Sequence, residues 1–131
     1  MGNDNENDPQ YWINMGYSLT SEGKSEQAIK YYKKALELDP ESHVALTNLG
    51  IAQSKTGDWE NAKKNLIQAT ELYPNMVEVW INLSTVYNHE GDQEQEMNCY
   101  DRALELDSSR LKFGTTEDIF TDRKGCSKMP Y

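Results

Sequence analysis

At 131 residues, with 37% hydrophobic and 27% charged side chains, the chain is sized for one compact unit or a short array of small repeats. Its 13 Lys and Arg against 22 Asp and Glu leave a net charge of −9, which repels phosphate backbones and anionic bilayers, so neither nucleic acid nor membrane is an expected partner. No apolar run reaches the ~18–20 residues of a membrane span, the acidic start lacks the apolar core of a signal peptide, and Cys99 and Cys126 form neither a CxxC pair nor a disulfide framework, so the expected address is cytoplasmic.

Residues 1–8 read as an acidic, disordered N-terminus. Asp8 followed by Pro9 is a helix start, and apolar spacing carries the helix over 9–22 until Gly23 interrupts it. A second helix, 25–38, holds Ala28, Tyr32 and Ala35 on one face and closes before Pro40. The same pair then returns. Ser42 opens a helix over 43–56 that Gly57 stops, and Asp58 caps another over 59–72 that ends at Pro74. Asn75 precedes a fifth helix, 77–90, and Asp92, with Gln95 three residues later, starts a sixth over 93–106. The echo has a fixed interval: AIKYYKKALELDP from Ala28 returns as AKKNLIQATELYP from Ala62 and as EMNCYDRALELDS from Glu96, each 34 residues on. Gly23, Gly57 and Gly91 keep the interval too. Three units follow, 9–42, 43–76 and 77–110, giving an all-α solenoid.

Small residues set how closely each pair packs. Gly16 opposite Ala28, and Gly50 opposite Ala62, let two antiparallel helices approach, with Trp12 and Tyr32 filling the outer gap. The third unit departs, with Glu96 and Ser84 at these crossing positions and Ser108 in place of the closing Pro. Its two Arg against eight acids also set it apart from the near-neutral units before it. Residues 111–131 form a tail in which Leu111, Phe113, Ile119 and Phe120 are the apolar residues available for a short partial cap.

These residues at this spacing resemble the tetratricopeptide repeat (TPR). The signature positions fall on Trp12, Met15, Gly16, Leu19, Ala28, Tyr32, Ala35 and Pro40 in the first unit, and the likeness covers 9–110. It implies a right-handed superhelix whose first helices line a concave face where partners lie. From that implied face come the candidate peptide-binding residues: Ile13, Asn14 and Tyr17; Val44, Thr47, Asn48, Ile51 and Lys55; Ile81, Asn82, Thr85 and His89. Asn14, Asn48 and Asn82 recur once per unit. A carboxamide offers both donor and acceptor, matching a peptide backbone, and Ile13, Tyr17, Val44, Ile51 and Ile81 supply apolar pockets between. The alternative role for the Asn ladder is helix–helix hydrogen bonding.

The carboxylate clamp of chaperone-tail adaptors needs five Lys, Asn and Arg residues. Its positions fall on Ile13, Tyr17, Asn48, Glu78 and Asn82, of which only Asn48 matches, so that partner is not expected. Catalysis is not expected either. His43 and His89 have no ligand-spaced companions, the acids Glu90, Asp92, Glu94 and Glu96 lack a calcium-loop pattern, and no phosphate-loop, zinc-protease or nucleophile-elbow motif occurs. No cofactor and no metal is expected. The resulting expectation is a non-catalytic adaptor, or scaffold, that binds an extended peptide in its groove. Two alternatives stand beside it: self-association through an incompletely covered last helix, and an accessory TPR piece of a larger enzyme system such as a glycosyltransferase.

Overall fold

The computed structural model describes residues 4–107. Six α-helices run along the chain: α1 (Pro9–Ser21), α2 (Ser25–Leu38), α3 (His43–Lys55), α4 (Trp59–Leu72), α5 (Val77–Glu90) and α6 (Gln93–Leu106). No strand occurs among the described residues. Every expected helix is present, and each boundary lies within one residue of its expected place. Consecutive helices pack on one another, while α1 also touches α3 and α3 touches α5. That order is a superhelical stack of three hairpins, with α1, α3 and α5 forming its inner layer.

The turn inside each hairpin is one device built three times. Gly23, Gly57 and Gly91 have φ of 83°, 91° and 81°, a conformation open to glycine without a Cβ clash. Each left-handed residue lets the next amide reach back five residues to a carbonyl of the helix's last turns: Lys24 to Leu19 (2.8 Å), Asp58 to Gln53 (2.8 Å) and Asp92 to Tyr87 (3.0 Å). The following helix starts at once.

Caps follow the sequence with two corrections. Side-chain oxygens of Asp8, Ser42, Asp58 and Asp92 accept from the amides of Gln10, Ala45, Asn61 and Gln95. Asn75 does not cap α5; Met76 holds that position, in an extended conformation with no side-chain cap bond. The expectation of a disordered 1–8 gives way over residues 4–7, which form a 3-10 turn. Trp12 Nε1 donates to the Glu6 carbonyl at 3.1 Å, and the repeat-equivalent Trp80 donates to the Pro74 carbonyl at 2.8 Å. Each tryptophan fastens its helix to the segment leading into it.

The crossings also differ from the expected pairing. A Cβ built on Gly16 would meet the Tyr32 ring at 2.6 Å, and one on Gly50 would meet Leu66 Cγ at 2.7 Å. The glycines thus make room for the large residue one turn beyond Ala28 and Ala62, not for those alanines. Tyr32 is buried, its hydroxyl 3.0 Å from Thr20 Oγ1, so it belongs to the interior; Trp12, half-buried, stacks on Tyr31. Ala28 packs instead with Tyr32, Leu49 and Ala52, and Ala62 with Leu46, Leu66, Val79 and Val86. Leu36 packs against all three core clusters and joins the first unit to the second. The expected tail, 111–131, lies outside the described residues, as does Cys126.

Candidate functional site

The inner layer is nearly free of charge. Among the described residues α1 holds no charged side chain, α3 holds Lys55, and α5 holds Glu78 and Glu90. Lysines, arginines and most acids sit instead on α2, α4 and α6. Lys55 and Glu78 stand at opposite ends of parallel helices. A face of this kind offers apolar surface and neutral polar groups in place of an electrostatic pattern.

The three asparagines occupy equivalent positions but different states. Asn14 is exposed and its Oδ1 accepts from Gln10 Nε2 at 2.9 Å. Asn48 and Asn82 are half-buried, and no hydrogen bond among the described residues engages either carboxamide. This does not fit the alternative in which the ladder serves helix–helix bonding. Among the described residues Tyr17 is the most exposed large apolar one, at 62%, and Val44 is also exposed. Ile51 is half-buried, and Lys55 and Thr85 are exposed.

Ile13 and Thr47 are corrections. Ile13 is buried among Ala35 and Ala45, in the seam between the first and second units. Thr47, at the same register one unit on, is 4% exposed and its Oγ1 has no partner. Neither can touch a ligand. Their angular position faces the next unit, so Ile81, beyond which no further unit follows among the described residues, is 43% exposed. Its exposure marks the end of the stack more than a groove.

Sequence reasoning missed Trp59. It opens α4, and His89 from the end of α5 stacks on it with ring centroids 3.9 Å apart and planes 11° apart. His89 therefore braces Trp59 while its side chain stays exposed. Ile51, Ser54, Lys55, Trp59, Asn82 and Thr85 enclose a mostly apolar recess of about 280 Å³ between the second and third units. A tryptophan directly after the cap Asp58, where the other units carry Ser25 and Gln93, was the available signal. Beside it, Lys63 Nζ pairs with Glu90 at 2.9 Å, and that bond raises the Lys63 pKa. It fastens α4 to α5 across the unit boundary.

Chemistry is sparse elsewhere. Burial pushes the Cys99 thiol up to about 11, so it stays protonated and inert at neutral pH. Among the described residues no three of His, Cys, Asp and Glu gather as a metal site. No described helix is long and apolar enough to cross a membrane.

Comparison with known proteins bears on the fold. Among curated proteins, none matched the sequence. Solved structures did match. The second TPR of Spaghetti (RPAP3), bound to the HSP90 peptide SRMEEVD, is 22% identical with a TM-score of 0.74, over 78% of this chain and 94% of that one. YrrB, a TPR protein with an unusual peptide-binding site, is 19% identical with a TM-score of 0.71, over 76% of this chain and 51% of that one. The TPR2AB domain of yeast Sti1, in complex with an HSP90 peptide, is 18% identical with a TM-score of 0.74, over 89% of this chain and 43% of that one. The chain thus spans about half of YrrB and less of the Sti1 domain pair. At these identities the likeness shows the fold. Models of the tetratricopeptide repeat match residues 9–42, 31–64 and 77–110; the middle match begins inside α2, ahead of the second hairpin, while the outer two coincide with the first and third. Helix pairs of this length, closed by the same glycine turn and matched by these models, make the chain a member of the tetratricopeptide repeat family.

Proposed function

We propose that the chain is a non-catalytic interaction module whose inner face holds an extended segment of another protein. The observation that carries this is the pair of unengaged, half-buried carboxamides of Asn48 and Asn82 on a face almost without charge. Neither carboxamide is among the fully buried unsatisfied groups, so water serves both in the free protein, and a peptide backbone replaces that water with a donor and an acceptor at once. Tyr17, Val44 and Ile51 flank these amides with apolar surface. The Spaghetti and Sti1 structures hold peptides on the same fold, which supports the ligand class. Their chaperone peptide does not transfer, because Ile13, Tyr17 and Glu78 stand at clamp positions, and Ile13 is buried. The reading includes a cytoplasmic address, in keeping with a buried, unpaired Cys99.

The test is a blocked-peptide array probed with the full chain and with an Asn14→Ala, Asn48→Ala, Asn82→Ala variant. Each lost hydrogen bond should weaken binding by ~0.5–1.5 kcal/mol, least at Asn14, whose amide already has Gln10. A folded triple variant that retains the same peptides equally well would remove the groove from consideration. A second reading, self-association, draws on the exposure of Ile81 and Met97 towards the last unit. Light scattering decides it, since a monomer mass independent of concentration excludes assembly.

A further inference from the structure

We propose that the recess between α3 and α5 is a side-chain subsite for an apolar residue flanked by an acidic one, the carboxylate meeting Lys55. This rests on the groove reading above and specifies what kind of segment the groove selects.

The recess has few polar groups to spare. Ser54 Oγ donates to the Gly50 carbonyl at 3.0 Å and Thr85 Oγ1 to the Ile81 carbonyl at 3.2 Å. Both wall hydroxyls thus donate within their own helices. Of the lining polar groups that leaves the Asn82 carboxamide and the Lys55 ammonium to meet a ligand, beside Ile51 and the Trp59 ring. An apolar side chain of the bound segment loses water there without stranding a polar group.

Trp59 is prepared for contact. Its backbone follows the Asp58 cap, and His89 covers one face of the ring at 3.9 Å, so the ring offers its other face or its edge to the recess. A side chain held by a capped backbone and a stacked neighbour loses little freedom on binding. That is the character of an interface anchor, where tryptophan is enriched.

Lys55 decides the flanking charge. It is the only Lys or Arg of α1, α3 and α5, and it makes no ion pair among the described residues. Several acids at this end of the stack are engaged: Glu90 by Lys63, Glu22 by Lys24, Asp58 by the Asn61 amide and side chain, and Asp92 by the Gln95 amide. Lys55 also borders a second recess of about 620 Å³, towards the first unit, lined in part by Thr20, Lys24, Glu26 and Thr56. Glu26 forms no ion pair with Lys55, so a carboxylate beside the apolar residue, on the side of the first unit, meets an unpaired ammonium for which Glu26 is the competing acid. Lys55 occupies none of the five clamp positions, so this contact is separate from that arrangement.

The experiment uses the full chain on an array of blocked peptides in a serine background. Their central pair is Leu-Asp, Phe-Asp, Leu-Lys, Ser-Asp or Ser-Ser, each in both orders. Peptides with an apolar residue next to Asp should be retained best. Trp59→Ala should lower their retention about tenfold or more. Lys55→Gln, at an exposed side chain that the fold does not need, should abolish the preference for Asp over Lys, a change of about threefold. If peptides bind with no such preference, or the preference survives both substitutions, the subsite is refuted while the groove reading stands. If no peptide of any composition is retained, the groove reading fails and the subsite fails with it. If retention rises in an Ile119→Ser, Phe120→Ser variant, the recess belongs to the chain's own 117–122 segment, Glu-Asp-Ile-Phe-Thr-Asp, and a partner's segment is refuted as its occupant.

Discussion

Replacing Gly50 with Ala tests the packing logic of the whole stack, because two effects of opposite sign meet at one atom. In a free helix the change is favourable by about 1 kcal/mol, through backbone entropy. Here the added Cβ would stand 2.7 Å from Leu66 Cγ and 3.0 and 3.3 Å from its methyls, against the ~3.5–4.0 Å at which carbon atoms attract. The nearest of these is a branch point, not a flexible end. Leu66 is 0% exposed and surrounded by Leu46, Val79, Leu83 and Val86, so relief requires α3 and α4 to move apart. Overpacking of this kind costs ~1–3 kcal/mol, which matches or exceeds the entropy term and leaves a net loss of up to ~2 kcal/mol. For an array of this size that is a fall in Tm of up to roughly 16 °C, read by calorimetry and urea titration. A double-mutant cycle sharpens the test. Leu66→Ala alone should cost ~2–5 kcal/mol by leaving a cavity, but in the Gly50→Ala background the new methyl fills part of it. The pair should then cost at least ~0.5 kcal/mol less than the sum. A rise in Tm for Gly50→Ala, or strict additivity in the cycle, would refute the argument.

Thr47→Val keeps the side chain's shape and removes a buried hydroxyl that has no partner, so stability should rise by ~1 kcal/mol in urea titration; a loss would mean that the hydroxyl is satisfied. Burial raises the Cys99 pKa to about 11, so the folded state holds this proton more tightly than the unfolded chain does. Stability is then full below the unfolded thiol's pKa of ~8.5 and falls as pH rises through the folded value. Alkaline urea titrations should show that fall, and Cys99→Ala should remove this component of it. Peptide affinity should change little between low and moderate salt, because the inner helices carry few charges and an exposed Lys55 pair adds only ~0–1 kcal/mol; titration calorimetry at two ionic strengths checks it.

What the sequence disclosed, and what it did not, divides along physical lines. Helix existence and bounds were legible because each rests on local signals: a cap, a 3.6-residue apolar period and a glycine at each turn. Asn75 misled because Asn is a strong cap by type, yet the chain enters α5 one residue later, at Met76. The crossings were half legible. Glycine signals close approach, but which residue fills the space depends on the stagger of two helices, and stagger put Tyr32 and Leu66 there. Ile13 and Thr47 were misassigned for a related reason: a single helix wheel has one buried side, whereas α1 and α3 each bury two, one against their own hairpin partner and one against the following unit. Trp59 was overlooked because it belongs to a second helix. It reaches the inner face only by standing at that helix's first residue, beside the turn.

The division of charge between the two layers ties these points to function. In a curved stack the inner helices approach each other, α1 to α3 and α3 to α5, so like charges there would repel at short range. Apolar and carboxamide residues avoid that repulsion, and the same choice leaves a surface that prefers a peptide to water. The outer helices diverge and can carry the 34-residue pattern of Lys and Glu that keeps the chain dissolved. The curvature that exposes a groove therefore also selects its chemistry, and the one cation admitted to the inner layer, Lys55, stands at the rim, where the helices end and water screens it. A lysine placed mid-groove, for example Asn48→Lys, would lose hydration, with Glu78 of α5, one turn off in repeat register, as the inner-face acid closest in register. It should lower stability and turn ligand preference towards acidic segments together. Separation of those two effects in one variant would show that the layers' charge division serves recognition alone.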